Sequence, residues 1–234
     1  MQIKTQFHVH IKGDTEDYIK YDCKKLIDRA DELKFKAVAF TCHKKIISPK
    51  GSKAYAQKKG ILLIKGVEIE INKKHILILN AHKDSEKIQT FDDLKRYKNK
   101  HKESLIIAAH PYFPGRATLK NDLVKHINLF DAIEYSFMRT KVIDFNKKAV
   151  AVAKRYNKPL IGTSDCHVLK YLDLTYSLID IPGNNGNKIN EVNIFNVIRK
   201  NKIKIVSKTL SIFEAGIILS KFLILDLLGK FRKV

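Results

Sequence analysis

The sequence predicts an α/β protein whose strands run mainly parallel and close toward a barrel. Short apolar runs rich in β-branched residues alternate with stretches of helical spacing along nearly the whole chain. About seven such units suit a (β/α) barrel better than a three-layer sandwich. Residues able to bind metal recur at the C-terminal ends of the predicted strands, the face on which such a barrel builds its site.

The first strand is Thr5-Gln6-Phe7-His8-Val9-His10. Alternation puts His8 and His10 on one face, with Phe7 and Val9 on the other, and spaces the two imidazoles about 7 Å apart, within reach of one ion. Helical spacing follows within residues 17–33. Residues 36–41 form a buried strand that ends at Cys42-His43, and a short helix over 53–59 stops at Gly60. Residues 61–64 and 67–71 are two strands, the second in a hairpin with 75–79 across Asn72-Lys73-Lys74. A charged helix covers 91–100, and a strand over 105–109 ends at His110-Pro111, where proline stops the ladder. Then come a helix over 121–127, a strand over 130–135, a helix over 141–156 and a strand over 159–164 ending at Asp165-Cys166-His167. A strand over 175–181, a loop over 182–187, a helix over 189–201, a strand over 204–207 and a helical tail from Ser211 complete the chain. No repeat or linker divides it. The expected organisation is one barrel over residues 1–210, followed by an apolar helix over 211–234 packed on it.

Composition narrows the classes. With 234 residues, 44% hydrophobic and 29% charged, the chain has the make-up of a soluble globular protein with a substantial core. The apolar stretch 212–228 is interrupted by Glu214, Lys221 and Asp226, short of the ~18 uninterrupted residues of a membrane span. Peripheral membrane contact or an oligomer contact is the alternative for this helix. Met1-Gln2-Ile3-Lys4 lacks the apolar segment of a secretory signal. Three irregularly spaced cysteines, Cys23, Cys42 and Cys166, fit a reducing compartment, so the expected location is the cytoplasm. The net charge of +21 raises a nucleic-acid surface, but the excess is mainly lysine spread along the chain, with seven arginines. Arginine is the better residue for bidentate phosphate or guanine contacts. The expectation is a solvated basic surface that attracts anionic substrates, with nucleic acid as the less favoured partner.

His8, His10, His43, Glu68, His110, Glu134, Asp165 and His167 all lie at or near a strand end, and they include five of the nine histidines. The other four, His75, His82, His101 and His126, fall at strand starts, in loops or on helices. Burying so many titratable groups together is costly without a compensating charge. Divalent cations supply it, and a mixed imidazole–carboxylate set suits zinc, manganese or iron. The set exceeds the four ligands of a tetrahedral site, which implies two or three ions bridged by carboxylates. Such sites polarise phosphoryl groups and lower the pKa of bound water.

The ordered motifs His8-Val9-His10, Thr41-Cys42-His43, Gly66-Val67-Glu68, Ala109-His110-Pro111, Ile133-Glu134 and Ser164-Asp165-Cys166-His167 resemble those of the PHP (polymerase and histidinol phosphatase) family. The resemblance implies a distorted (β/α)7 TIM-like barrel with a two- or three-metal site that hydrolyses phosphate esters. Carried over, His8, His10, Glu68 and Asp165 hold a first ion, and Glu68 bridges to a second held by His110, with His75 as a further ligand. His43 and His167 hold a third with an acidic residue from the loop after His10, for which Asp14 is preferred over Asp17 and Asp22. Glu134 is a ligand or the partner of one. In two places the chain departs from the family. Cys42 stands where the family has Asp, either as a small apolar residue or as a soft ligand and weaker support. The loop after His10 is also short.

Asp165 and His167 are then the catalytic candidates, with Arg116, six residues beyond His110, as a phosphate clamp beside Lys44 and Lys45. The expected function is hydrolysis of a small phosphomonoester or nucleotide by a metal-activated water. An oligonucleotide exonuclease, or a polymerase-associated nucleic-acid-binding module using the basic surface, is the alternative.

Overall fold

The computed structural model describes residues 1–181 and 189–227. Strands β1 (Gln2–Gln6), β2 (Phe35–Phe40), β3 (Leu62–Ile71), β4 (Lys74–Leu79), β5 (Leu105–Ala108), β6 (Ala132–Tyr135), β7 (Leu160–Gly162), β8 (Thr175–Asp180) and β9 (Ile203–Ser207) form one sheet. Its order is β7-β6-β5-β4-β3-β2-β1-β8-β9. Between them lie helices α1 (Cys23–Glu32), α2 (Ser52–Lys58), α3 (Phe91–Lys100), α4 (Asn121–Lys125), α5 (Lys147–Arg155) and α6 (Glu191–Arg199), and α7 (Ile212–Leu227) follows. The expected α/β barrel is present, with two reversals. β4 runs antiparallel to both β3 and β5, and β8 antiparallel to both β1 and β9, while β1-β2-β3 and β5-β6-β7 are parallel.

The sheet curls until β7 meets β8 and the edge strand β9, and among the described residues no backbone ladder joins β7 to either. Side chains close the seam. Ser177 Oγ accepts from the Gly162 amide at 2.9 Å and donates to its carbonyl at 3.1 Å. Ser164 Oγ donates to the Thr175 carbonyl at 2.8 Å, and the Gln6 carboxamide reaches Ser164, Leu172 and Thr175 at 2.9–3.0 Å. Gly162 permits the approach, since a Cβ there would lie 2.8 Å from Ile205 Cγ2 and 2.9 Å from the Tyr176 carbonyl oxygen.

Alternate strand residues such as Ile3, Ala37, Ala39, Ile64, Leu77, Ile107 and Ile161 fill the interior, together with Phe195 and Ile198 of α6. The opposite faces pack beneath α1 and α2 on one side and beneath α3 to α5 on the other. β3 is one strand where the sequence suggests two. Its first half pairs with β2 and its second half with β4, and the exchange falls at Gly66, where a Cβ would lie 2.9 Å from the Phe40 carbonyl oxygen.

Two other expectations change, at the first strand and at α5, while the first helix falls inside the stretch expected for it. The first ladder ends at Gln6, and Val9 makes only an isolated bridge to Cys166. Phe7 therefore belongs to the interior cluster while Val9 packs in the cluster under α1, although both were expected on one face. The helix after His10 begins at Cys23, where the Asp22 side chain caps it through the Lys25 amide at 2.9 Å. Asp22 is thus committed to the cap. α5 begins at Lys147, because the Thr140 hydroxyl accepts from the Val142 and Ile143 amides and Asp144 accepts from Asn146, turns that compete with a helix.

Ala215 and Ile218 of α7 pack against Phe137, Met138 and Leu210, while Ile212 and Phe213 are exposed. No helix of the described residues is long and apolar enough to cross a membrane. The loop expected over 182–187 and the basic end of the tail lie outside the described residues.

Candidate metal centre

β1, β2, β3, β5 and β7 each deliver a ligand-type side chain to one end of the barrel. His8 and His10 follow β1, His43 follows β2, Glu68 lies in β3, His110 follows β5, and Asp165 and His167 follow β7. β4 delivers His75 from its start, which its reversed direction brings to the same end. His8, His10, His43, Glu68 and Glu134 are all buried. His110 and Asp165 adopt φ of +24° and +43°, backbone that costs of order 1–3 kcal/mol and concentrates at functional sites.

Glu68 is the hub. Its Oε1 lies 2.9 Å from His75 Nδ1 and 3.2 Å from His110 Nε2. Its Oε2 lies 3.2 Å from His8 Nε2, 3.4 Å from His10 Nε2 and 3.2 Å from His43 Nε2. Asp165 Oδ1 faces the same nitrogens of His8 and His10, at 3.2 and 3.3 Å. Two groups emerge whose ligand atoms lie within 4.8 Å of one another, His8–His10–Glu68–Asp165 and Glu68–His75–His110, each using one Glu68 oxygen. His10 Nε2 and Asp165 Oδ1 are buried without a hydrogen-bond partner, a costly arrangement that a cation would relieve.

A third region lies beside these. Asp14 accepts from Nδ1 of His10 at 2.8 Å and from the backbone and Nδ1 of His43 at 3.0 Å each. Those three residues also form a metal-sized group. Asp17 lies 2.8 Å from His167 Nε2 and 3.7 Å from His43 Nδ1, so Asp14 is the nearer carboxylate to His43 and Asp17 the partner of His167. Glu134 lies behind the cluster. It accepts from His8 Nδ1 at 2.9 Å, from the Thr163 hydroxyl and from the His110 amide. Cys42 packs with Val9 and Ile11, its sulfur 3.4 Å from the Ile11 amide, and burial pushes its thiol well above the usual range.

The electrostatics call for positive charge. Burial alone would lower the His8 pKa, but Asp165, Glu68 and Glu134 outweigh it and raise it well above its ordinary value. His167 is pushed up to about 10, with Asp165 and Asp17 overcoming burial. Burial likewise opposes ionisation of Glu68 and Asp165, yet the surrounding imidazoles hold both carboxyls well below their usual range. Divalent ions answer the same demand by taking the place of the protons.

A cavity of about 320 Å³ opens beside Glu68, His75, His110, Asp165 and His167. Phe113, Pro114, Phe137 and Met138 make its apolar wall, and Arg116 and Lys73 are its cations. Lys44 is bound by the Glu16 and Glu70 carboxylates, and neither it nor Lys45 lines the cavity. The sequence reading missed Lys73. Its signal was the hairpin tip beside His75, where Asn72 and Lys73 have φ of +51° and +62° as a two-residue turn requires.

The architecture recurs in solved structures. A two-domain protein from Bacteroides vulgatus containing a predicted PHP-like metal-dependent phosphoesterase superposes with TM-score 0.66 at 18% identity, over 89% of this chain and 65% of that one. The chain thus spans about two-thirds of that protein's length. PsfC from Pseudomonas syringae matches with TM-score 0.67 at 14% identity, over 97% and 98% of the two chains. The lesion-specific endonuclease Q of Pyrococcus furiosus matches with TM-score 0.61 at 13% identity, over 88% and 58%. At these identities the likeness is one of fold. No curated protein matches the sequence significantly. A PHP-associated model matches residues 144–203. The PHP domain model matches residues 7–168, more than half of the sequence and every residue of the cluster, and the chain belongs to the PHP family.

Proposed function

We propose that this chain is a metal-dependent phosphoesterase acting on small phosphomonoesters or nucleotides. The observation that carries the reading is Glu68, whose two oxygens face two separate sets of imidazoles at one barrel end. His8, His10, Glu68 and Asp165 would hold one ion, and Glu68, His75 and His110 a second. His43 and His167 would hold a third with an acidic residue from the loop after His10, where Asp14 stands against His43 and Asp17 against His167. Zinc, manganese and iron all suit this donor set. Ions bound there polarise a phosphoryl group and lower the pKa of a water.

The chain's own residues do the rest. Arg116 and Lys73 neutralise the substrate phosphate from across the cavity. Phe113 and Phe137 exclude water and hold the organic part of the ester. Asp165 and His167 fix the face toward which the phosphate is drawn.

Metal analysis of the dialysed, untagged chain tests this reading. Two or three equivalents are expected at the cluster, counted as the difference between wild type and a His8→Ala/His10→Ala variant, together with phosphatase activity on a panel of phosphate esters that the variant loses. A difference of less than about half an equivalent after reconstitution would sink it, because such a cluster should hold metal tightly.

A second reading, action on nucleic acid, draws on the net charge of +21 and on the fold shared with endonuclease Q, one structure of which holds duplex DNA with an abasic lesion. Steeply salt-dependent DNA binding with lesion cleavage would favour it over the small-substrate reading.

A further inference from the structure

His82 and His101 stand apart from the catalytic cluster. β4 carries His75 near one end and His82 beyond the other, and a rise of about 3.3 Å per residue separates the strand's ends by about 17 Å. Each of the two histidines is followed two positions on by a carboxylate, in His82-Lys83-Asp84 and His101-Lys102-Glu103. The fold brings these tripeptides together. A 3-10 turn over Lys83–Lys87 follows β4, His101 closes α3, and Glu103 leads into β5.

The two rings stack with centroids 4.1 Å apart. Glu103 Oε1 lies 2.6 Å from His82 Nε2 and 3.5 Å from His101 Nδ1. His82 Nε2 nevertheless has no hydrogen-bond partner, so the two atoms converge at an angle unsuited to a shared proton. His101 Nε2 lies 2.9 Å from Asp84 Oδ2, which leaves Nδ1 turned toward Glu103. An imidazole whose far nitrogen rests on a carboxylate is the usual support of a metal-binding histidine. The three ligand atoms lie within 4.8 Å of one another.

We infer that His82, His101 and Glu103 bind one divalent transition-metal ion, with Asp84 orienting His101. Two imidazoles and one carboxylate are a zinc-type donor set, with water completing the tetrahedron. Coordination tilts His82 out of the stack, because lone pairs in nearly parallel rings cannot meet at one point. Its side chain is 40% exposed, which leaves room for that turn. The ion clips the Lys83–Lys87 turn to the α3–β5 junction, at the end of β5 away from His110.

Equilibrium dialysis of the full chain against buffered Zn²⁺ alone tests the site. His82→Ala and Glu103→Ala should each bind one ion fewer than wild type, and the imidazole NMR signals of His82 and His101 should shift on zinc addition. Phosphoesterase activity should be unchanged in both. An unchanged zinc count in Glu103→Ala, or histidine signals that stay put at saturating zinc, would overturn the inference. Glu103 is exposed, so its variant decides the matter even if His82→Ala does not fold. The site shares no residue with the catalytic cluster, and a His8→Ala/His10→Ala variant should retain it, so the two readings fail separately.

Discussion

Replacing Glu134 with Gln changes one oxygen to nitrogen and keeps the shape, yet the surroundings leave the amide no satisfactory pose. One carboxylate oxygen accepts from both His8 Nδ1 and the Thr163 hydroxyl, and the other accepts from the His110 amide. If the Gln carbonyl faces His8 and Thr163, its NH2 group meets the His110 N–H, and a buried donor goes unpaired at about 1–3 kcal/mol. If the carbonyl faces His110 instead, the NH2 group meets His8 Nδ1, which must then become an acceptor. The proton of His8 moves to Nε2, the nitrogen that faces Glu68 and Asp165 at 3.2 Å, and the ring can no longer ligate through it. Either pose should weaken the first ion about 10- to 100-fold, the usual consequence of losing a ligand's supporting partner. Chelator competition with the reconstituted variant measures this, with circular dichroism to verify folding. Affinity equal to wild type would refute the reasoning. If Glu134→Ala lost a whole equivalent while every other ion stayed tight, Glu134 would instead be a ligand itself.

Three further outcomes are expected. Gly162→Ala forces a methyl against the Tyr176 carbonyl and disturbs the Ser177 bonds. About 1–3 kcal/mol of overpacking and about 1 kcal/mol per lost bond should lower Tm by about 6–20 °C, and a change of less than about 2 °C would contradict the tight seam. Metal loading at pH 8 should expel protons, because His8 and His167 are raised above their ordinary 6.5, the latter to about 10. The stability those protons lend the metal-free chain is full below pH 6.5 and is lost as pH rises through the folded value, so metal affinity should climb with pH. Calorimetry in buffers of different ionisation enthalpy counts the protons, and a count of zero would refute this. Arg116→Ala should raise KM for a phosphate ester about five- to thirtyfold, the worth of about 1–2 kcal/mol, with metal content intact. An unchanged KM would remove Arg116 from phosphate binding.

Much of this was legible because strand alternation and strand ends leave local signals. His43, His110, Asp165 and His167 could be placed on one face without coordinates, since each directly follows an apolar run. His75 could be named from its place on the return strand of the expected hairpin, which β4 forms. What escaped depended on tertiary packing. Nothing local in the sequence sets Asp17 beside His167, since the two meet only where the segment after β1 runs next to the one after β7. The end of the ladder at Gln6 was equally invisible, because Phe7 and Val9 are both apolar and only their packing partners differ.

The hydroxyl seam between β7 and β8 gives the barrel a soft meridian. A ladder opens only when strands part, but a serine that holds both the Gly162 amide and its carbonyl can release them by a single rotamer flip. Amide exchange at Gly162 and Thr175 should therefore outpace that of β2 and β3, whose amides lie in paired strands on both sides. Asp165 lies three residues beyond Gly162, so this seam adjoins the end of β7 that carries a cluster carboxylate. Side-chain hydroxyls, in place of a backbone ladder, thus flank the strand that carries Asp165.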